Sequence, residues 1–158
     1  MPNFQRILHP TDFSQPAAQA FLVARALARE HAAKLILLHV AQRPVSSVAG
    51  VPVPPPPPPP IDLKGLKAQL NAIAAANPQF RIECHIVEGQ PASAILDVAR
   101  DLTCDIIVIG SHGRTGLSRL LMGSVAEQVV RHAACPVLTV KTPTTNTKLR
   151  TASRAFMG

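Results

Sequence analysis

Four glycines in the second half of the chain have the spacing of a ligand-binding loop. A strand-forming run, Ile106 to Ile109, leads into Gly110, Gly113 and Gly116, with two residues between each and the next, and Gly123 follows just before a segment of helical period. Glycine lets backbone approach a ligand with no Cβ in the way. Ser124-Val125-Ala126-Glu127 has the spacing of a capping box, so a helix is expected to begin at about Ser124. The free N–H groups of its first turn, at the positive end of the helix dipole, suit an anion. Arg114 can add positive charge. The pattern is not a Walker loop, because no GK[ST] follows, and it is not GxGxxG, which would be expected after the first strand. Taken singly, each position has a plainer reading: Gly110 ends a strand, Gly113 and Gly116 make turns, and Ser124 only caps. The set points to phosphate only if the fold places it in a crevice.

The elements that must position it follow from hydrophobic period. FQRILH (4 to 9) reads as a first strand ended by Pro10. Ser14 can cap a helix that has Pro16 in its first turn and carries Phe21, Ala24, Leu27 and Ala28 on one face to about His31. KLILLHV (34 to 40) is apolar almost throughout, as suits a central strand of a parallel sheet covered on both faces. Asp62 can cap a second helix with Leu63, Leu66, Leu70 and Ile73 on one side, stopped by Asn77 and Pro78. In FRIECHIV (80 to 87), Arg81, Glu83 and His85 make one face polar, as at a sheet edge. Gly89 and Pro91 open a third helix, with Ala92, Ile95, Leu96, Ala99 and Leu102 facing inward, and strand DIIVI follows. CPVLTVK (135 to 141) is the last strand, and Pro136, which cannot donate to a ladder, places it at the other edge.

Five strands alternating with four helices predict right-handed crossovers and an α/β fold, a doubly wound five-stranded parallel sheet. With the polar third strand and the proline-bearing fifth at the edges, the expected order is 3-2-1-4-5. Ligands of such sheets bind beyond the carboxyl ends of the strands where the order reverses. Here that is between strands one and four, so PTDFS (10 to 14) and the glycine stretch should meet there.

Composition narrows the function classes. The 158 residues fit one domain, and a domain of this size hides roughly 68–70% of the surface of its unfolded chain. The longest apolar runs, LILL (35 to 38) and IIVI (106 to 109), fall far short of the ~18 residues of a spanning helix. No basic region followed by a long apolar stretch opens the sequence, so a cytoplasmic location is expected. Cys84, Cys104 and Cys135 lack metal-ligand spacing and read as small buried hydrophobes. Of the net charge of +7, three charges (Lys148, Arg150, Arg154) lie in a tail without acids, leaving +4. With no Trp, no Tyr and five Phe, there are few platforms for stacking bases, which argues against a nucleic-acid reader. A basic surface also suits small anionic ligands.

With these motifs in view, the sequence resembles the universal stress proteins, in the branch that binds ATP. The resemblance rests on Gly110, two residues, Gly113, nine residues, Gly123-Ser124, with HPTDFS (9 to 14), LLHV (37 to 40), CDIIVIGSHGR (104 to 114), MGSVAEQVV (122 to 130) and CPVLTVK, and covers nearly all of residues 3 to 141. It implies the sheet order argued above and a homodimer joined along the last strand, residues 135–141. It also implies that Pro10, Thr11, Asp12 and Val40 lie around the adenosine of a bound ATP and Gly110 near the ribose, while Gly113, Gly123, Ser124 and Val125 hold the phosphates. In physical terms, Asp12 can accept hydrogen bonds from a sugar hydroxyl or an adenine amino group. It can equally cap the helix after it, a role for which Ser14 competes. Val40 offers backbone groups and an apolar surface to a base.

His9, His39 and His112 fall at or near carboxyl ends of neighbouring strands and raise the question of a metal. His9 and His39 sit in or beside apolar strands, where a buried, hydrogen-bonded imidazole is the simpler reading, and Asp12 is the one acidic residue near. No protein metal ligand is therefore expected, and a divalent ion such as Mg2+ would be held mainly by the nucleotide's phosphates. No general base beside the phosphates, Walker lysine or nucleophile paired with His is evident, so any hydrolysis should be slow. The expected function is a nucleotide-dependent stress-response regulator acting through its dimer or its partners. The alternative is a scaffold that uses the same fold without nucleotide. A nucleotidyl transferase or ATP pyrophosphatase would carry HxGH or SGGxDS, and neither occurs.

Two segments stand outside this 1–141 domain pattern. Residues 42–61 form an insertion with seven successive prolines, extended over roughly 22 Å at ~3.1 Å per residue. It reads as a stiff surface spacer, as a ligand for a protein partner's aromatic groove, or as a rim that affects access to nucleotide. Residues 142–158 are Thr-rich and basic without apolar period, and are expected to be disordered.

Overall fold

The computed structural model describes residues 3–43, 57–112 and 122–142. Along the chain it runs β1 (Arg6–Pro10), α1 (Gln15–His31), β2 (Lys34–Ala41), α2 (Leu63–Ala75), β3 (Ile82–Glu88), α3 (Pro91–Asp101), β4 (Ile106–Gly110), α4 (Ser124–His132) and β5 (Val137–Val140). The strands form one sheet in the order β3-β2-β1-β4-β5, every pair parallel, as the period and the two edge signals predict. The last strand is shorter than 135–141. Pro136 precedes it, although its carbonyl still accepts from Ile107 N at 3.0 Å. No helix among the described residues is long and apolar enough to cross a membrane.

Alternation along the central strands divides the core between the two faces of the sheet. On one face Leu8, Ile36, Leu38, Ile107 and Ile109 pack under Ala92, Ile95 and Ala99 of α3 and Ala126 and Val129 of α4. On the other, Ile7, Leu35, Ile106 and Val108 pack under Ala24 and Ala28 of α1. Small alanines on α1 let the helix lie close to the sheet. Cys104 and Cys135 belong to the first cluster, and burial raises both thiols above their ordinary value, that of Cys104 to about 11. Cys104 is buried as expected, whereas Cys135 and Cys84 are only half-buried, and the Cys84 thiol donates to the Leu70 carbonyl.

Helix ends follow their local chemistry, with one exception. Ser14 caps α1, accepting from Ala17 N at 3.3 Å, and Asp62 caps α2, accepting from Gly65 N at 2.9 Å. Beyond α2, Asn77 is buried, donates to the Ile73 carbonyl at 2.8 Å and accepts from Arg25 of α1 at 2.5 Å, so the stop signal also joins the two helices. Gly89, with φ of +150°, turns the chain from β3 to α3 and donates its N–H to the Ala41 carbonyl at 3.1 Å.

The exception is the capping box. Ser124 is the first helical residue of α4 and Gly123 is its N-cap. Glu127 N donates to the Gly123 carbonyl at 2.9 Å, and the Glu127 carboxylate reaches forward to Arg131 at 2.8 Å. The cause is register: S-x-x-E allows the helix to begin one residue early, and Gly123, which needs no side chain to adopt the extended cap geometry, takes that place.

Candidate functional site

The carboxyl ends of β1 and β4, the middle strands of the order, diverge into a cleft of about 550 Å³. Its centre is the loop after β1. Thr11 N donates to the Leu38 carbonyl at 2.7 Å, which keeps the loop on the end of β2. Asp12 accepts from the Ser14 backbone at 3.0 Å and from the Ser14 hydroxyl. Asp12 therefore does not cap α1; it holds the residue that does. Between them Phe13 is left-handed, with φ of 61°. Its N–H donates to Thr11 Oγ1 at 3.1 Å and its ring lies 4.7 Å from the His39 ring. A non-glycine residue in that region costs of order 1–3 kcal/mol, here set against those contacts.

The histidines are bound into this framework. Each presents Nδ1 to a carbonyl, which can only accept, so Nδ1 carries the proton: His9 to Val108 at 2.9 Å and His39 to Thr11 at 2.8 Å. They tie β1 to β4 and β2 to the loop. Burial lowers the His9 pKa from 6.5 to about 4, only partly offset by the Val108 carbonyl and the Asp12 carboxylate. Among the described residues no group of three or more His, Cys, Asp or Glu is placed to hold a metal.

On the β4 side the cleft ends at the N-terminus of α4. Ser111 N donates to the Val140 carbonyl at 2.9 Å, and the Ser111 carbonyl accepts from Gly123 N at 2.7 Å, which brings the start of α4 against the end of β4. With Gly123 N–H used in this way and Glu127 making the first helical bond, the N–H groups of Ser124, Val125 and Ala126 have no carbonyl upstream in the helix. They stand at the positive end of the α4 dipole, in the cleft wall. Beside them Ser111 Oγ and His112 Nδ1 are 2.9 Å apart, and His112 Nε2 is buried with no hydrogen-bond partner among the described residues. A serine paired with a histidine was not foreseen from the sequence. The two are adjacent in the chain, and only the turn after β4 aims both side chains inward.

On the β2 side the wall is apolar. Val40 and Ala41 end β2, Pro91 and Ile95 come from the start of α3, and Leu66 comes from α2. Ile61, at the end of the proline-rich insertion, joins them. Two strand spacings separate the apolar flank from the β4 end, roughly 10 Å with the β1 loop between them.

The structure thus brings together Pro10, Thr11, Asp12, Val40, Gly110, Gly123, Ser124 and Val125, all of which line the cleft. Gly113 and Arg114 lie outside the described residues, as do Gly116, most of the proline-rich insertion and all but the first residue of the basic tail. Sequence reasoning did not place Ser111, Ile61, Leu66, Pro91 and Ile95 in the cleft, and it weighed His112 only as a metal ligand. Leu66, Ile95 and Pro91 carried a signal, since each sits on or at the start of a predicted helix, but not one that said which end of the sheet they reach.

Gly110 has a packing role as well. A Cβ there would stand 3.2 Å from the Pro16 carbonyl oxygen, so the end of β4 passes close to the start of α1. Gly110→Ala is expected to destabilise the protein by about 1 kcal/mol through this overpacking, read as a lower urea midpoint. An unchanged midpoint would mean that the contact has slack.

Sheet order and a cleft at the switch point, with a helix N-terminus facing an apolar flank, define a doubly wound α/β domain. The sequence profile of the universal stress protein family matches residues 3–141, and the chain belongs to that family. Universal stress protein MJ0531 of Methanocaldococcus jannaschii is 34% identical over 144 residues, covering 89% of this chain and 84% of its own. The solved structure of protein MJ0577 has a TM-score of 0.63 at 30% identity, over 89% of this chain and 98% of its own. A universal stress protein solved in complex with cAMP has a TM-score of 0.67 at 23% identity, over 89% of this chain and 98% of its own, and so shares the fold.

Proposed function

We propose that this universal stress protein binds ATP in the cleft between β1 and β4, and that occupancy regulates its dimer or its partners. The observation that carries the reading is the pairing, in one cleft, of an apolar flank on the β2 side with three helix-terminal N–H groups on the β4 side. An adenine nucleotide has that polarity. The base goes to Val40, the sugar to the β1 loop beside Pro10, Thr11 and Asp12 and to Gly110, and the phosphates to Gly123, Ser124 and Val125, with Gly113 and Arg114 completing the phosphate end. Binding to phosphates by N–H groups needs no metal from the protein, and Mg2+ would enter on the phosphates. The cAMP complex adds only that a protein of this fold has been solved with an adenine nucleotide.

The buried His112 Nε2, which has no partner among the described residues, fits the same ligand, because a desolvated ring nitrogen left unpaired is costly and a ligand can supply the bond. Hydrolysis is at most slow. The Ser111–His112 pair has no third group to orient the ring among the described residues, and no lysine reaches the phosphate end there. Dimerisation through the last strand, residues 135–141, is supported by β5 standing at the sheet edge with Leu138 exposed. In this reading residues 1–141 are the folded domain, residues 142–158 an appended basic tail, and the protein acts in the cytoplasm.

Calorimetry with ATP, ADP, AMP and adenosine, on protein freed of co-purified ligand and with and without Mg2+, tests this. Micromolar binding that weakens as phosphates are removed is expected. No binding to any of them would overturn the nucleotide reading in favour of a scaffold working through the β5 edge.

A further inference from the structure

The seven prolines of the insertion end at Pro60. Pro57 to Pro60 are exposed coil, and the next residue, Ile61, is partly buried and lines the cleft beside Val40 and Leu66. Both sides of Ile61 are stiff. Behind it, the proline ring fixes φ at about −65° in each of Pro57 to Pro60. Ahead of it, the Ile61 carbonyl accepts from Leu63 N at 2.9 Å, and the Asp62 carboxylate accepts from Gly65 N at 2.9 Å. A Cβ at position 65 would run into that carboxylate, so Gly65 keeps the cap in place. An isoleucine held from both ends over an apolar flank is a wall, and the charge pattern says what it faces. On the nucleotide reading the phosphates go to the α4 end of the same cleft, which leaves the apolar end to the base.

We propose that Ile61, supplied by the proline-rich insertion, is a specificity-determining residue that packs on the heteroaromatic base of the bound nucleotide. Pro57 to Pro60, which lead into Ile61, then hold this wall in place. This rests on the nucleotide reading above.

The test compares wild type, Ile61→Ala and Ile61→Leu by calorimetry against ATP, adenosine and inorganic tripolyphosphate, with melting temperatures as a folding control. Removing three carbons from a partly exposed apolar wall is expected to weaken ATP and adenosine by the same factor, about tenfold, and to leave tripolyphosphate unchanged. Ile61→Leu, which keeps the volume, should restore most of the loss. Wild-type affinity for ATP and adenosine in Ile61→Ala would overturn the role of Ile61 while leaving the nucleotide site standing. Equal weakening of tripolyphosphate would also overturn it, because the substitution would then be disturbing the whole cleft. If wild type binds neither ATP nor adenosine, the nucleotide reading fails and this inference with it.

Discussion

Replacing Ser124 with glutamate is expected to weaken ATP about a hundredfold while leaving the fold intact or slightly more stable. Ser124 is exposed at the first position of α4, and its side chain is not needed to cap the helix, since Gly123 holds that place. A carboxylate in a first helical turn interacts favourably with the dipole by about 0.3–1 kcal/mol. The same carboxylate would occupy the end of the cleft assigned to phosphate. Like charges about 4 Å apart repel by about 1–4 kcal/mol at dielectrics between water and a protein surface, and a hundredfold loss corresponds to about 2.7 kcal/mol. The loss should be graded: largest for ATP, smaller for ADP and AMP, absent for adenosine. Calorimetry on the four ligands, beside a thermal melt, reads both halves. Equal losses for adenosine and ATP, or undiminished ATP binding, would remove the phosphates from α4.

The second large effect is on stability and comes from His9. It is fully buried with its Nδ1–H on the Val108 carbonyl, and burial holds its pKa at about 4 against 6.5 in the unfolded chain. Because the folded value is depressed, the unfolded chain takes up a proton below pH 6.5 and the native one does not until about pH 4. Stability is therefore full above pH 6.5 and is lost as the pH falls through that window. At about 1.4 kcal/mol per pH unit the whole loss is about 3 kcal/mol. Glu83, held low mainly by Lys34 and also by His85, acts in the same direction but only below its ordinary 4.5. Urea midpoints at pH 7 and at pH 4.5 therefore isolate the histidine. His9→Asn keeps an amide donor near the Val108 carbonyl and does not titrate, so its midpoint should change far less. Parallel pH profiles for wild type and His9→Asn would assign the acid loss to another group.

Much of this protein was legible in its sequence because the relevant signals are local. The contrast between the apolar β2 and the polar alternation of β3 marks centre and edge, and Pro136 marks the other edge. Those two constraints with right-handed crossovers leave little choice of strand order. Ser14 before Pro16 and Asp62 before an apolar stripe name their own caps. The eight cleft-lining residues read from the sequence fall at or just beyond the carboxyl ends of β1, β2 and β4 or at the start of α4, where period and glycine spacing already put them.

What remained for the tertiary structure were choices between groups with equal local claims and contacts across long sequence separations. Whether Asp12 capped α1 depended on where its carboxylate pointed, and the turn aims it at Ser14. That Gly123 takes the cap position read from the sequence for Ser124 goes with its N–H bond to the Ser111 carbonyl, a contact from another segment. Ile61 is twenty-one positions from Val40, and no period or motif links them. Only the packing of α2 against β2 and β3 carries the end of the proline run to the mouth of the cleft. A hydrophobic period repeats within one element and can be read along the chain, whereas the walls of a cleft come from the ends of several elements, whose meeting is decided by how the sheet closes its core.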